Sequence, residues 1–431
     1  MLLSLRKRKV LYILLAIFTI FITSDLLSRH KIIDHSKLIS DDWSIESLTN
    51  KYDFSYLKSF GKSSTFNDEE LKSTNEELNK NGYILKPQNV QFKFLNNIDK
   101  KGSREEIIDG DNSRYQQLMK LEIGKPQDAS LINAPEDVSK YNHANATILI
   151  LVTNEEITKI GQSIRKFEKS FNSKFQYPYT FLNDQPFNDR FKQRIKKYTG
   201  NAPVEFVTIP KELWDKPTNI DEEKESKAME IMYQHDVAYA KKGSYHNMCR
   251  FYSMNFYKVP ELAKYKYYWR IEPNVHFYTD IQYDVFKYME STGKIYGFTI
   301  SLYDIEESIK TLWPETLHFL NQDDNYKLIN PNGGFQFLLE DLQNPNKNKV
   351  AGYSTCHFWS NFEIGDMDFY RSKPYDSWVN YLDSTGKFYY ERWGDAPIHS
   401  IGVSLFADKS KVHWFRDIGY LHDPYYNYGN I

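Results

Sequence analysis

The sequence predicts a wound α/β body, and three observations carry that expectation. Between residues 146 and 209, apolar runs of strand length alternate with helix-period segments in the order strand, helix, strand, helix, strand. The first run, Ala146-Thr147-Ile148-Leu149-Ile150-Leu151-Val152, is apolar throughout rather than alternating, as a parallel strand covered on both faces should be. The 431 residues are 41% hydrophobic and 26% charged, enough for a substantial core.

Each element follows from its residues. Asn154-Glu155-Glu156-Ile157 offers an N-cap and an acidic first turn, and Ile157, Ile160, Ile164, Phe167 and Phe171 then fall on one helical face. Tyr179-Thr180-Phe181-Leu182 is a second strand, ending at Asn183-Asp184. Residues 189 to 198 read as helix, and Val204 to Ile209 as a third strand closed by Pro210. Tyr267-Tyr268-Trp269-Arg270-Ile271 is a further strand that ends in Glu272-Pro273-Asn274. Gly333-Gly334 after Pro331-Asn332 is a turn.

Ahead of this body the character differs. Arg6-Lys7-Arg8-Lys9 precedes the apolar run Val10 to Ile22, which no Ala-x-Ala cleavage site follows. This predicts a cytosolic tail over 1–9, an uncleaved signal anchor over 10–27, and everything beyond on the lumenal side. Residues 28–140 are polar and charge-mixed and read as a stem, with Tyr115 to Ile123 suited to pack as helix; 141–431 form the catalytic body. The sequon Asn145-Ala146-Thr147 agrees with a lumenal location. Cys249 and Cys356 are the two cysteines, so either one bridge or two buried thiols result, and no disulfide framework exists.

A formal charge of −2 gives no electrostatic footprint for nucleic acid, which needs a concentrated basic face. The 33 Tyr, 28 Phe and 8 Trp suit both core packing and sugar stacking. Gly-x-Ser-x-Gly, His-Glu-x-x-His, Walker-type and Cys-x-x-Cys motifs are absent from the sequence. Four residues stand out. Glu363 is a carboxylate among aromatic and apolar neighbours, from His357 to Gly365, and is either a satisfied structural acid or a chemical tool. Glu272 lies at a strand end, where ligands collect in wound sheets; it either pairs with Arg270 or faces a divalent ion. His422 is a second candidate ligand, with structural histidine as the plain alternative. Asp395, in Trp393-Gly394-Asp395-Ala396-Pro397, reads first as an N-cap, a role compatible with hydroxyl recognition.

Several long motifs in one order complete the reading: Tyr177-Pro178-Tyr179-Thr180-Phe181-Leu182-Asn183-Asp184-Gln185-Pro186-Phe187, Ser244 to Arg250, Tyr268 to Pro273, Tyr296-Gly297-Phe298-Thr299, Thr311-Leu312-Trp313-Pro314, the Glu363 block, and Phe388 to Ser400. From about residue 146 to 425 the chain resembles the fungal Golgi α-1,2-mannosyltransferases of the KRE/KTR type, glycosyltransferase family 15. The resemblance implies a GT-A-like single catalytic domain with a wound mixed sheet, GDP-mannose as donor, a mannoside or glycoprotein acceptor, Mn²⁺ as cofactor, and transfer with retention of the α configuration. It implies Glu272 and His422 as metal ligands, Glu363 as nucleophile on the mannose face, and Tyr245, Arg270 and Asp395 as substrate contacts. It also implies a single-pass type II protein of the Golgi membrane, lumenal in its catalytic part, that elongates N- or O-linked mannan of secreted and cell-wall mannoproteins and associates with other Golgi glycosyltransferases. Mannosylphosphate transfer, or a non-catalytic mannan-binding role, are the alternatives. The chain departs from the family pattern in having Thr153 where Arg is frequent, and Thr147 and Thr279 near frequent cysteine positions.

Overall fold

The computed structural model describes residues 133–338 and 352–429; the expected tail and anchor, and the stem as far as residue 132, lie outside them. Strand β1 (Ala146–Leu151) forms from the continuous apolar run, with Ile148, Leu149 and Ile150 wholly buried. A short turn over Asn154–Glu156 leads into helix α1 (Ile157–Phe167). The cap differs from expectation: Glu156 Oε2 accepts from both the backbone N and Oγ1 of Thr153, each at 3.1 Å. Asn154 instead donates to the Pro186 carbonyl and accepts from the Asn188 amide, tying the end of β1 to the next βα loop.

Strand β2 (Tyr179–Asn183), helix α2 (Asp189–Tyr198) and strand β3 (Val204–Thr208) follow as read from the sequence. Helices α3 (Glu222–Gln234) and α4 (Gly243–Met254) then lead to strand β4 (Tyr267–Arg270). Beyond it lie β5 (His276–Phe277), α5 (Val285–Thr292), β6 (Tyr296–Phe298), β7 (Ser301–Tyr303), α6 (Leu312–Asn321), β8 (Cys356–Phe358) and β9 (Glu363–Asp366). The chain closes with α7 (Lys373–Ser384), α8 (Asp395–Phe406), β10 (Val412–Trp414), β11 (Tyr420–His422) and β12 (Tyr425–Asn427).

Among the described residues, seven strands form one mixed sheet in the order β10-β6-β9-β4-β1-β2-β3. β4, β1, β2 and β3 run parallel, and β9 is antiparallel to both of its neighbours. The order leaves β1 flanked by β2 on one side and β4 on the other, so the chain reverses its winding direction between β1 and β4. That is the switch point at whose carboxyl end ligands bind. A smaller antiparallel sheet, β12-β11-β5, carries the chain's last strands.

Both faces of the large sheet are covered. Ile148, Ile150, Tyr267, Trp269 and Ile364 enter one core with α1 and α2, while Leu149, Tyr268 and Tyr296 enter the other with α4, α7 and α8. Alternate residues of a strand point to opposite faces, which is why adjacent Tyr268 and Trp269 belong to different cores.

The remaining expectations resolve locally. Cys249 and Cys356 are buried free thiols. Thr147 donates to the Pro178 carbonyl at 3.0 Å and shares a 2.8 Å contact with Thr180, whereas Thr279 accepts from the Gly419 amide. The two positions thus serve separate parts of the fold. At the sequon, the Asn145 amide donates to the Lys264 carbonyl at 2.7 Å.

One glycine matters to the sheet. A Cβ at Gly365 of β9 would lie 2.5 Å from Cε1 of Tyr268 on the paired strand, closer than carbon atoms approach. Gly365→Ala is therefore expected to displace the Tyr268 ring and cost about 1–3 kcal/mol, the usual range for overpacking a filled core. Denaturant titration beside the wild type measures this; an unchanged midpoint would show that the ring has somewhere to go.

Candidate active site

Arg270 ends β4 at the switch point, and antiparallel pairing places it directly opposite Glu363, the first residue of β9. Cross-strand partners project from the same face, so the guanidinium and the Glu363 carboxylate meet, with Nη1 4.0 Å from Oε1. Arg270 also forms ion pairs with Glu272 through Nη2 and with Asp395 through Nη1. Its guanidinium carbon stands 3.5 Å over the Tyr252 ring of α4. One buried cation therefore serves three carboxylates. The Arg270 side chain is 3% exposed, against 24% for Glu272, so the cluster opens outward on the Glu272 side. Past Pro273, Asn274 takes a left-handed conformation, φ 65°, and turns the chain back toward β5.

Asp395 is the first residue of α8, and Gly394 rather than Asp395 occupies the cap position. Its Oδ2 is taken instead by Arg270 and by Ser360 Oγ at 2.8 Å. Burial pushes this carboxyl upward, but the Arg270 charge, His399 and the two hydrogen bonds outweigh it and hold Asp395 below the usual carboxylate range.

Glu363 is fully enclosed. Its Oε1 accepts from Tyr268 at 2.9 Å and its Oε2 from Tyr296 at 3.1 Å. His399, one turn beyond Asp395 on α8, brings Nδ1 to 2.9 Å from Oε2 while Nε2 lies 2.8 Å from the Tyr252 carbonyl. Facing a carboxylate on one side and a carbonyl on the other, the ring satisfies both acceptors when both nitrogens carry protons. Burial disfavours this imidazolium, yet the Glu363 charge and hydrogen bond prevail and His399 is raised above 6.5.

Tyr245 on α4 belongs to the same site. Cys249, burial, Asp395 and Asp304 raise its hydroxyl well above the ordinary tyrosine value, against Arg392, whose guanidinium carbon lies 5.6 Å from the Tyr245 ring centre. His422 ends β11, whose register sets Leu421 beside His276, a few residues after Glu272. Its ring meets Trp359 edge-on at 4.8 Å, and Trp359 precedes the Ser360 that holds Asp395. The structure thus joins Arg270, Glu272, Glu363 and Asp395 directly, links Tyr245 to them electrostatically, and sets His422 on the neighbouring sheet. Sequence reasoning missed His399, Ser360, Tyr252, Tyr268, Tyr296 and Arg392 as site residues. For His399 a signal existed: four residues after Asp395 on one helix, it had to share Asp395's face.

The donor set fits a divalent cation. Arg270 and the His399 imidazolium are two positive charges against three carboxylates, which leaves one negative charge in a partly dry cluster. Glu272 commits only Oε1 to Arg270, and His422 leans on the Asp423 carbonyl through Nδ1, keeping Oε2 and Nε2 for other partners. Among the described residues no three His, Cys, Asp or Glu side chains converge as a cage, so a cation here would draw most ligands from a diphosphate and water.

A strand-end acid at a switch point, backed by a buried arginine–carboxylate cluster, is a charged site where wound α/β proteins bind their ligands. The family profile described as glycolipid 2-alpha-mannosyltransferase, glycosyltransferase family 15, matches residues 105–430, a span that begins within the segment read above as stem. The chain belongs to this family and is a glycosyltransferase. "Probable mannosyltransferase KTR4" of Saccharomyces cerevisiae is 48% identical over 324 residues, 75% of this chain and 69% of the relative. The X-ray structure of Ktr4p from S. cerevisiae in complex with GDP is 43% identical, with a TM-score of 0.71 over 84% of this chain and 89% of that one. The Mn/GDP form of core-mannan synthase A (CmsA/Ktr4) from Aspergillus fumigatus is 45% identical, with a TM-score of 0.68 over 72% and 84%.

The raised His399 makes stability depend on pH with a defined sign. Its contribution is complete below 6.5, the unfolded value, and is lost as pH rises through the higher folded value. His399→Gln should therefore cost most below pH 6.5, about 3 kcal/mol for a broken buried pair, and progressively less above it. Unfolding free energies of both proteins measured across pH check this; a pH-independent difference would rule out the imidazolium.

Proposed function

We propose that the protein transfers mannose from GDP-mannose to the 2-hydroxyl of a mannose-terminated glycan, with retention of the α configuration. The observation that carries this reading is Arg270 at the switch point, with the partly open Glu272 on one side and the closed Glu363 and Asp395 on the other. The likeness to relatives solved with GDP and with Mn/GDP supports the donor and the metal. Glu272 and His422 would hold Mn²⁺, which when bound supplies positive charge to the diphosphate.

In this reading Arg270 adds fixed charge beside the leaving diphosphate, preorganised by its carboxylates and by Tyr252. The bond from the mannose anomeric carbon to the phosphate oxygen breaks, and one to the acceptor oxygen forms on the same face. The acceptor proton passes to the departing phosphate. Tyr245 and Asp395 orient hydroxyls, and Glu363 supplies negative charge to the oxocarbenium-like carbon. The complete enclosure of Glu363 by Tyr268, Tyr296 and His399 favours charge supply over a covalent bond to the sugar. The signal anchor over 10–27 would hold the protein in the Golgi membrane with this site in the lumen, on N- or O-linked mannan.

The full-length protein, assayed with GDP-mannose, Mn²⁺ and a panel of α-mannosides, should release GDP and form an α-1,2 linkage. Glu272→Ala and His422→Ala should lose activity that added Mn²⁺ does not restore. Glu363→Gln, which keeps the size of the side chain but removes its charge and turns one acceptor oxygen into a donor, should lower kcat about 100-fold or more with little change in the KM for donor. Release of GMP would indicate mannosylphosphate transfer, and an intact-mass adduct of one mannose on Glu363 would overturn the charge-only role. Full activity of both metal-ligand variants under chelation would overturn the reading itself.

A further inference from the structure

The loop between α3 and α4 carries an aromatic step leading from solvent into the site. Tyr239 is 58% exposed and holds a left-handed conformation, φ 62°, which costs energy for a bulky residue and persists where the surroundings impose it. Its ring lies parallel to that of Tyr245, 17° between planes and 4.6 Å between centres. Lys242 sits 5.8 Å from the Tyr239 ring centre. Below Tyr245 comes Arg392, 7% exposed, 3.8 Å from Asp304, with Nε buried and lacking a hydrogen-bond partner.

A stack of two tyrosines at a surface is an unusual use of a large ring. Tyr239 adds nothing to the main cores, and more than half of it faces solvent. A pyranose matches such a ring: its C–H surface lies on the aromatic face while a rim hydroxyl reaches the Lys242 ammonium, the charged group beside Tyr239. The tyrosine stack leads inward to the hydroxyl that lies in the field of Asp395, so a sugar on Tyr239 would belong to the same chain as the one that reacts.

We propose that Tyr239 is the platform of an acceptor subsite, binding a mannose ring one or more sugars removed from the reacting one, and that it sets a preference for acceptors longer than a monosaccharide. This rests on the mannosyl-transfer reading. Tyr239→Ala in the full-length protein should raise the KM for α-1,2-mannobiose about ten-fold, while the KM values for methyl α-mannoside and GDP-mannose move less than about two-fold. Tyr239→Phe should retain wild-type behaviour. Equal shifts for mono- and disaccharide, or no shift at all, would overturn the subsite.

Saturation-transfer NMR with mannobiose separates the two readings. If the wild type transfers no mannose, yet mannobiose receives saturation that Tyr239→Ala abolishes, the transfer reading falls and the subsite stands. If mannobiose does not bind the wild type, the subsite falls too.

Discussion

The buried guanidinium of Arg270 is the constraint on which the site depends. A charge moved from water into a protein interior costs several kcal/mol unless it is paired and hydrogen-bonded. Arg270 resolves this by drawing Glu272 from its own strand end, Glu363 from the antiparallel neighbour and Asp395 from the start of α8. Three elements distant in sequence are thereby locked to one cation. The same arrangement has a functional result, since charges fixed before substrate arrives need not reorganise during reaction.

The tyrosines explain how the fold tolerates so many interior acids. Glu363 is held by Tyr268 and Tyr296, Asp284 by Tyr141 and Tyr177 at 2.7 Å each, and Glu168 by Tyr179. In each case a phenol brings a donor on a large apolar ring, and Asp284 and Glu168 are thereby satisfied without a buried cation. Burial still pushes Asp284 and Glu168 upward. Glu363 differs in adding an imidazolium, His399, and a nearby guanidinium, Arg270, to its phenols. Its aromatic neighbourhood alone therefore does not distinguish it from a structural acid; its cationic neighbours do.

Much of the fold was legible because its signals are local. The apolar run of β1, the helix period of Ile157 to Phe167 and the strand end at Glu272 need nothing beyond the chain itself. Where tertiary contacts compete with local ones, reading fails by small amounts. Asp395 sits in good capping sequence, but an arginine and a serine hydroxyl outbid the helix amides for its oxygens, and the cap falls to Gly394. The pairing of Arg270 with Glu363 was illegible for a deeper reason. β9 is antiparallel between β4 and β6, and register across 93 residues of sequence separation is fixed by packing, not by pattern.

That antiparallel strand also decides which role suits Glu363. A parallel strand there would present its carboxyl end, and its acids, at the open edge with Glu272. Because β9 runs the other way, it is its first residue that pairs with the end of β4, and Tyr268, Tyr296 and, from α8, His399 take the oxygens of that residue. A carboxylate so placed acts at a distance: its field in a low-dielectric interior is strong, while bonding to a sugar would require breaking the phenol and imidazolium contacts together. Glu272, on the exposed side of the same arginine, keeps the freedom that Glu363 lacks. Enclosure by two phenols and an imidazole thus separates the acid that can meet a ligand from the acid that sets the charge behind it.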